Sequence, residues 1–131
     1  MKKIGNLNQP LSAVVASLGH TDRLAIADAG LPIPLEVQRI DLALKPGMPA
    51  TLETVETVLT ELQVEGAILA EEMVDVNPDV YKDLREMLGE TPIETVPHER
   101  FKELTRSARA VVRTGVFTPY ANVILVAGVV F

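Results

Sequence analysis

The sequence predicts an α/β fold in which a mixed β-sheet is covered by helices on both faces, giving three layers. Three observations carry that expectation. Segments with helical spacing of apolar residues alternate along the chain with short apolar runs of strand type. No composition shift, internal repeat or low-complexity tract interrupts the 131 residues, so residues 1–131 are expected to form a single domain. Hydrophobic residues make up 47% and charged residues 23%, which is enough apolar material for a core in a chain of this size.

The first helix is expected over about Gln9 to Leu18, where Leu11, Val14, Val15 and Leu18 fall at i, i+3, i+4 and i+7. Pro10 suits its first turn, and Gly19 suits a left-handed residue just past its end. Arg23 to Ala27 reads as a strand closed by Asp28-Ala29-Gly30, and Val37 to Leu44 alternates as a second strand. The turn-forming residues of Lys45-Pro46-Gly47-Met48-Pro49 make a loop. Thr51 is placed to cap a second helix whose stripe is Leu52, Val55, Val58, Leu59 and Leu62.

Val64 to Ala70 reads as a buried strand. Asn77-Pro78 opens a third helix with a cap and a first-turn proline, and Gly89 ends it. Ile93 to Val96 is a strand, followed through Pro97 by a fourth helix over about His98 to Arg106. Ala108 to Arg113 and Asn122 to Val126 are the last clear strands, so helices and roughly five to seven strands interleave. From Val123 to Phe131 the chain is apolar to its last residue, which calls for docking in its own core or against another subunit.

A formal net charge of −6 removes the basic footprint that a nucleic-acid partner needs. The run Arg100, Lys102, Arg106, Arg109 and Arg113, interspersed with Glu99 and Glu103, reads as a solvated face. With no cysteine there is no disulfide framework and no thiolate nucleophile. No apolar run follows Lys2 and Lys3 as a signal peptide would require, and none approaches the roughly 18 residues of a membrane span. A cytoplasmic protein without membrane attachment is expected.

The glycine-rich dinucleotide turn, the phosphate loop, the paired-histidine zinc helix and the nucleophile elbow are all missing, so no cofactor is expected. Ordinary side chains must carry any chemistry. His20 follows the first helix, where unpaired carbonyls favour a protonated imidazole; it suits either a proton-transfer group or a simple helix cap. His98 begins a helix. Asp28 lies just past a strand, where open α/β sheets gather ligands, although an aspartate there also serves its own turn. Tyr120 and Asn122 flank the entry to the last strand, as hairpin residues or as polar groups presented at a strand mouth. His20, Asp28 and His98 lack the close spacing of structural zinc ligands, and no metal is expected.

Three segments together resemble the ribose pyranase and fucose mutarotase family over essentially the whole chain. They are LGHTDRLAIADAGLPIP at 18 to 34, IDLALKPGMP at 40 to 49, and VRTGVFTPYANVILVAGVVF at 112 to 131. The resemblance implies conversion of β-D-ribopyranose to β-D-ribofuranose, the form that ribokinase phosphorylates, without a cofactor. It also implies that His20 is the catalytic proton donor and that Asp28, His98, Tyr120, Ala121 and Asn122 bind the sugar. A homo-oligomer of ten subunits in two pentameric rings is implied, with sites formed between neighbours. Fucose mutarotases tend to read GHGD and KYGN where this chain has GHTD and PYAN, and they lack the run Gly30-Leu31-Pro32 after the aspartate. Two alternatives are a mutarotase of fucose or a related sugar, and a non-catalytic sugar-binding accessory of a transport system.

Overall fold

Alternation of side chains along the strands divides the core in two. In a computed structural model describing Met1–Phe131, Leu24 and Ile26 of the first strand join one apolar cluster while Ala25 and Ala27 join another. All four are fully buried, as befits a strand covered on both sides. The elements run α1 (Gln9–Ser17), β1 (Arg23–Ala27), β2 (Gln38–Asp41), α2 (Thr51–Leu59), β3 (Val64–Ala70), α3 (Glu71–Val76), α4 (Pro78–Leu88), β4 (Ile93–Val96), α5 (His98–Leu104), a 3₁₀ turn (Thr105–Ser107), β5 (Ala110–Arg113) and β6 (Val123–Ala127).

The six strands form one sheet in the order β2-β5-β1-β6-β3-β4. Strand β1 pairs parallel with β5, β5 with β2, and β3 with β4; β6 is inserted antiparallel between β1 and β3. Five strands therefore point their carboxyl ends to one edge of the sheet, and the start of β6 lies at that same edge. The three-layer expectation holds, with unequal outer layers. Leu11 and Val14 of α1, Val55 and Val58 of α2, Met73 of α3, and Leu84 and Leu88 of α4 cover one face. On the other, Phe101 of α5 packs with Leu31, Val37 and Ala108 from connecting segments. A fully buried side chain of this kind contributes about 1.5–3 kcal/mol.

Several expected details are corrected. Asn8 caps α1, accepting the Leu11 N–H at 3.0 Å, and Pro10 sits in its first turn. The left-handed residue after α1 is Thr21, at φ 67°, and not Gly19. The Asp22 carboxylate draws the Gly19 N–H into a local turn instead. Thr51 does not cap α2: Ala50 holds that position, and the buried Thr51 hydroxyl meets the Thr114 hydroxyl at 3.1 Å. A helix absent from the sequence reading, α3, runs directly into α4 through Asn77. The Asn77 side chain makes no cap because its amide donates to the Pro119 carbonyl. The apolar chain end divides: β6 is buried, whereas Val130 and Phe131 are exposed. No helix is long and apolar enough to cross a membrane.

Candidate active site

The shared carboxyl edge of the strands holds a cleft of about 610 Å³. Asp28 follows β1, Arg113 ends β5, His98 follows β4 and Tyr120 precedes β6, and all four line it. Five parallel strands ending together explain the placement, since the loops they release must converge there.

Asp28 is clamped by the protein itself. Its N–H donates to Asn122 Oδ1 at 2.7 Å, and Asn122 Nδ2 donates to Asp28 Oδ2 at 2.9 Å. The other carboxylate oxygen accepts the Gly30 N–H at 2.9 Å. The neighbouring Ala29 carbonyl accepts from Arg113 Nε at 3.1 Å, while Arg113 Nη1 reaches both oxygens of Asp41 at 3.1 and 3.3 Å. Thr114, buried behind this loop, donates its hydroxyl to the Ala27 carbonyl at 2.8 Å. A carboxylate so held presents its remaining lone pairs in one orientation, a condition for selecting among the donor groups of a ligand.

His98 is fixed at backbone and ring. Its N–H donates to the Glu72 carboxylate, with the two oxygens at 3.1 and 2.9 Å. The ring stacks on Phe101 (centroids 6.4 Å apart, planes at 11°) and meets Tyr120 edge-on at 4.9 Å and 80°. His98 Nδ1 is buried without a protein partner. Next door, the Lys102 ammonium beside Glu99 holds that carboxyl below the usual range. Tyr120 has φ 62°, a conformation that costs a bulky residue energy and is often kept at ligand sites. The turn around it is closed by Ala121 N–H to Thr118 O at 3.4 Å and Asn122 N–H to Tyr120 O at 2.8 Å.

The residues named from sequence therefore separate into three groups. Asp28, His98 and Tyr120 share the cleft. Asn122 and Ala121 are buried beneath it, and Asn122 spends its amide on Asp28. His20 stands apart at the opposite edge of the sheet, before β1 begins. The intervening strand has five residues, so roughly 15 Å of sheet lies between His20 and Asp28. His20 Nε2 lies 2.8 Å from Glu65 Oε2 instead. No group of three or more His, Asp or Glu side chains is placed to hold a metal ion.

Arg113 and Glu72 belong to the site and were not singled out from sequence. In the sequence Arg113 belongs to a basic run that suits a solvated face. Glu72 lies on the unrecognised α3, and only its position after a buried strand would have marked it.

Residues 1–130 match the family described as the RbsD / FucU transport protein family. A protein of Laribacter hongkongensis named D-ribose pyranase is 59% identical over the full length of both chains. The solved structure of Bacillus subtilis RbsD complexed with D-ribose is 52% identical, covers both chains completely and superposes with a TM-score of 0.96. A fucose mutarotase from Streptococcus pneumoniae, solved with L-fucose, is 24% identical over 95% of each chain with a TM-score of 0.79, a likeness of fold.

Proposed function

The chain belongs to the RbsD / FucU family, and on that premise we propose that it is an isomerase interconverting the pyranose and furanose forms of D-ribose. The observation that carries this reading is the full-length match to a relative solved with D-ribose, together with the clamped Asp28 facing His98 and Tyr120 in one cleft.

Changing ring size requires opening the hemiacetal. The bond between the anomeric carbon and the ring oxygen breaks, its electron pair stays on the ring oxygen, and that oxygen takes a proton. The anomeric hydroxyl gives its proton to solvent as its C–O bond becomes the aldehyde. A different hydroxyl then attacks the aldehyde in the reverse sense. One positioned acid–base group accelerates such a step by about 10²–10⁴-fold. We assign that role to His20. Asp28 and His98 hold sugar hydroxyls, Tyr120 offers a ring face, and Asn122 and Ala121 shape the floor of the same site. No cofactor and no metal are needed for this proton transfer.

His20 and the cleft lie at opposite edges of the sheet, so one chain cannot join them around one sugar. The reading therefore requires a second copy to supply His20, and a closed homo-oligomer of two pentameric rings satisfies that requirement at every site. The exposed Val130 and Phe131 lie at the His20 edge and supply apolar contact area for it. The whole chain of 131 residues acts as one such unit, placed in the cytoplasm where a furanose-specific kinase would draw on its product.

Magnetisation exchange between the pyranose and furanose signals of ribose, recorded by NMR, tests the proposal. Exchange should be faster with the protein than in buffer and should fall to the buffer rate with His20→Ala. Ribose binding without any acceleration would leave a sugar-binding accessory as the better account. Faster exchange with fucose than with ribose would move the activity to the mutarotase branch.

A further inference from the structure

We propose that Glu65 is the positioning residue for His20, accepting the Nε2–H and leaving Nδ1 as the nitrogen that exchanges a proton with the sugar. The proposal rests on the reading of His20 as the acid–base group. A carboxylate only accepts hydrogen bonds, so at 2.8 Å the proton between the two belongs to Nε2. An imidazole with Nε2–H retained has one remaining nitrogen for chemistry. It donates from Nδ1 when the ring is charged and accepts there when it is neutral.

The backbone around Glu65 is built to aim this side chain. Strand β3 pairs Val64 with Ala127 and Gly66 with Val126, so the register shifts at Glu65, an irregularity of the kind that redirects side chains beside active sites. Gly128 faces it from the end of β6, where a Cβ would lie 3.0 Å from the Glu65 Cβ and 3.3 Å from its nitrogen. A glycine there keeps the space that Glu65 occupies.

The turn carrying His20 is stitched to the same place. Thr21 N–H donates to the Ala127 carbonyl at 2.8 Å, and Ala127 N–H returns a bond to the Asp22 carbonyl at 2.8 Å. The Asp22 carboxylate accepts the Gly19 N–H at 2.8 Å and faces Arg109 Nε at 3.1 Å. The turn thus holds the His20 backbone, and Glu65 is the one side chain that holds its ring. An incidental surface ion pair, worth little to the fold, would need neither the register shift nor the bracing.

The test measures exchange rate against ribose concentration for wild type, Glu65→Ala, Glu65→Gln, His20→Ala and the double variant. Misplacing a proton-transfer group should lower kcat of Glu65→Ala about 10–100-fold while KM changes little. Glu65→Gln should recover much of the loss, because its amide oxygen accepts the same N–H. The double variant should be no slower than His20→Ala. Wild-type turnover in Glu65→Ala, a loss confined to KM, or a glutamine variant no better than alanine overturns the proposal. So does a loss of activity that appears only when size-exclusion chromatography shows lost assembly. If His20→Ala itself turns over normally, the acid–base assignment falls, a result distinct from any failure of Glu65.

Discussion

Asn122 shows how a residue can matter to a cleft from underneath. It is fully buried, and both ends of its amide are committed to Asp28. Truncation in Asn122→Ala leaves the part-buried Asp28 N–H unpaired and releases Oδ2 of its carboxylate, a defect costing about 1–3 kcal/mol. The expected result is a urea midpoint lowered by that amount and ribose binding weakened at least tenfold, checked by denaturation and by ribose titration. Asn122→Asp should bind more weakly still, because two carboxylates would then face each other. Sequence alone puts Asp28, His98 and Tyr120 at loop edges, since each lies just after or before a strand, and the fold brings all three to one cleft. It could not show that Asn122 points inward or that Arg113 braces Ala29, because side-chain direction is decided by the neighbouring strand. Nor could the Thr21 conformation be read, as its cost is offset only by tertiary bonds to β6.

Among the elements, α5 is the only helix over its face of the sheet, and Phe101 is its buried anchor. Phe101 also stacks on His98, so core and site share one side chain. Phe101→Ala should destabilise by about 3–5 kcal/mol in chemical denaturation and weaken ribose binding together with it. A second coupling runs through Gly115, where β5 leaves the sheet beneath the loop 45–49. A Cβ there would lie 2.5 Å from the Lys45 carbonyl oxygen and closer still to that of Met48, both backbone atoms with no rotamer to yield. Gly115→Ala should therefore cost about 1–3 kcal/mol, read as a lowered thermal midpoint. The apolar stripes of α1 and α2 are legible in the sequence, as are the proline that opens α4 and the Gly89 that ends it. The six-residue α3 was not, because it is too short to show a period and shares Asn77 with its successor. Strand β2 was overextended, since only Ile40 of its four residues is buried and an edge strand ends where pairing ends. The antiparallel insertion of β6 was also hidden, being set by packing between segments far apart in sequence.

For the whole molecule, two predictions concern charge and assembly. Four carboxylates are held below their ordinary values: Asp22 by the Gly19 N–H and Arg109, Glu36 by its own N–H and Arg106, Glu61 by the Asn6 N–H and Lys2, and Glu99 by Lys102. A depressed folded-state value contributes stability that is present above the ordinary value and lost as pH falls through the folded one. With ordinary values of 3.8 for Asp22 and 4.5 for the glutamates, the urea midpoint should stay level down to about pH 5 and decline below about 4.5. Three of the four groups are exposed and Asp22 is only half-buried, so the decline should be shallow, and added salt should reduce only the part due to Arg and Lys. The second prediction follows from the sheet itself. His20 precedes β1 and Asp28 follows it, so a His20→Ala chain keeps an intact cleft and an Asp28→Asn chain keeps an intact His20 edge. Each variant alone should be inactive. If sites join the cleft of one chain to the His20 of another, refolding an equal mixture should restore roughly a quarter of the sites. That fraction, read as recovered ribose exchange, should be absent when the two variants are assembled separately and then combined without subunit exchange. A mixture that stays inactive after co-refolding would mean that no site joins the cleft of one chain to the His20 of another.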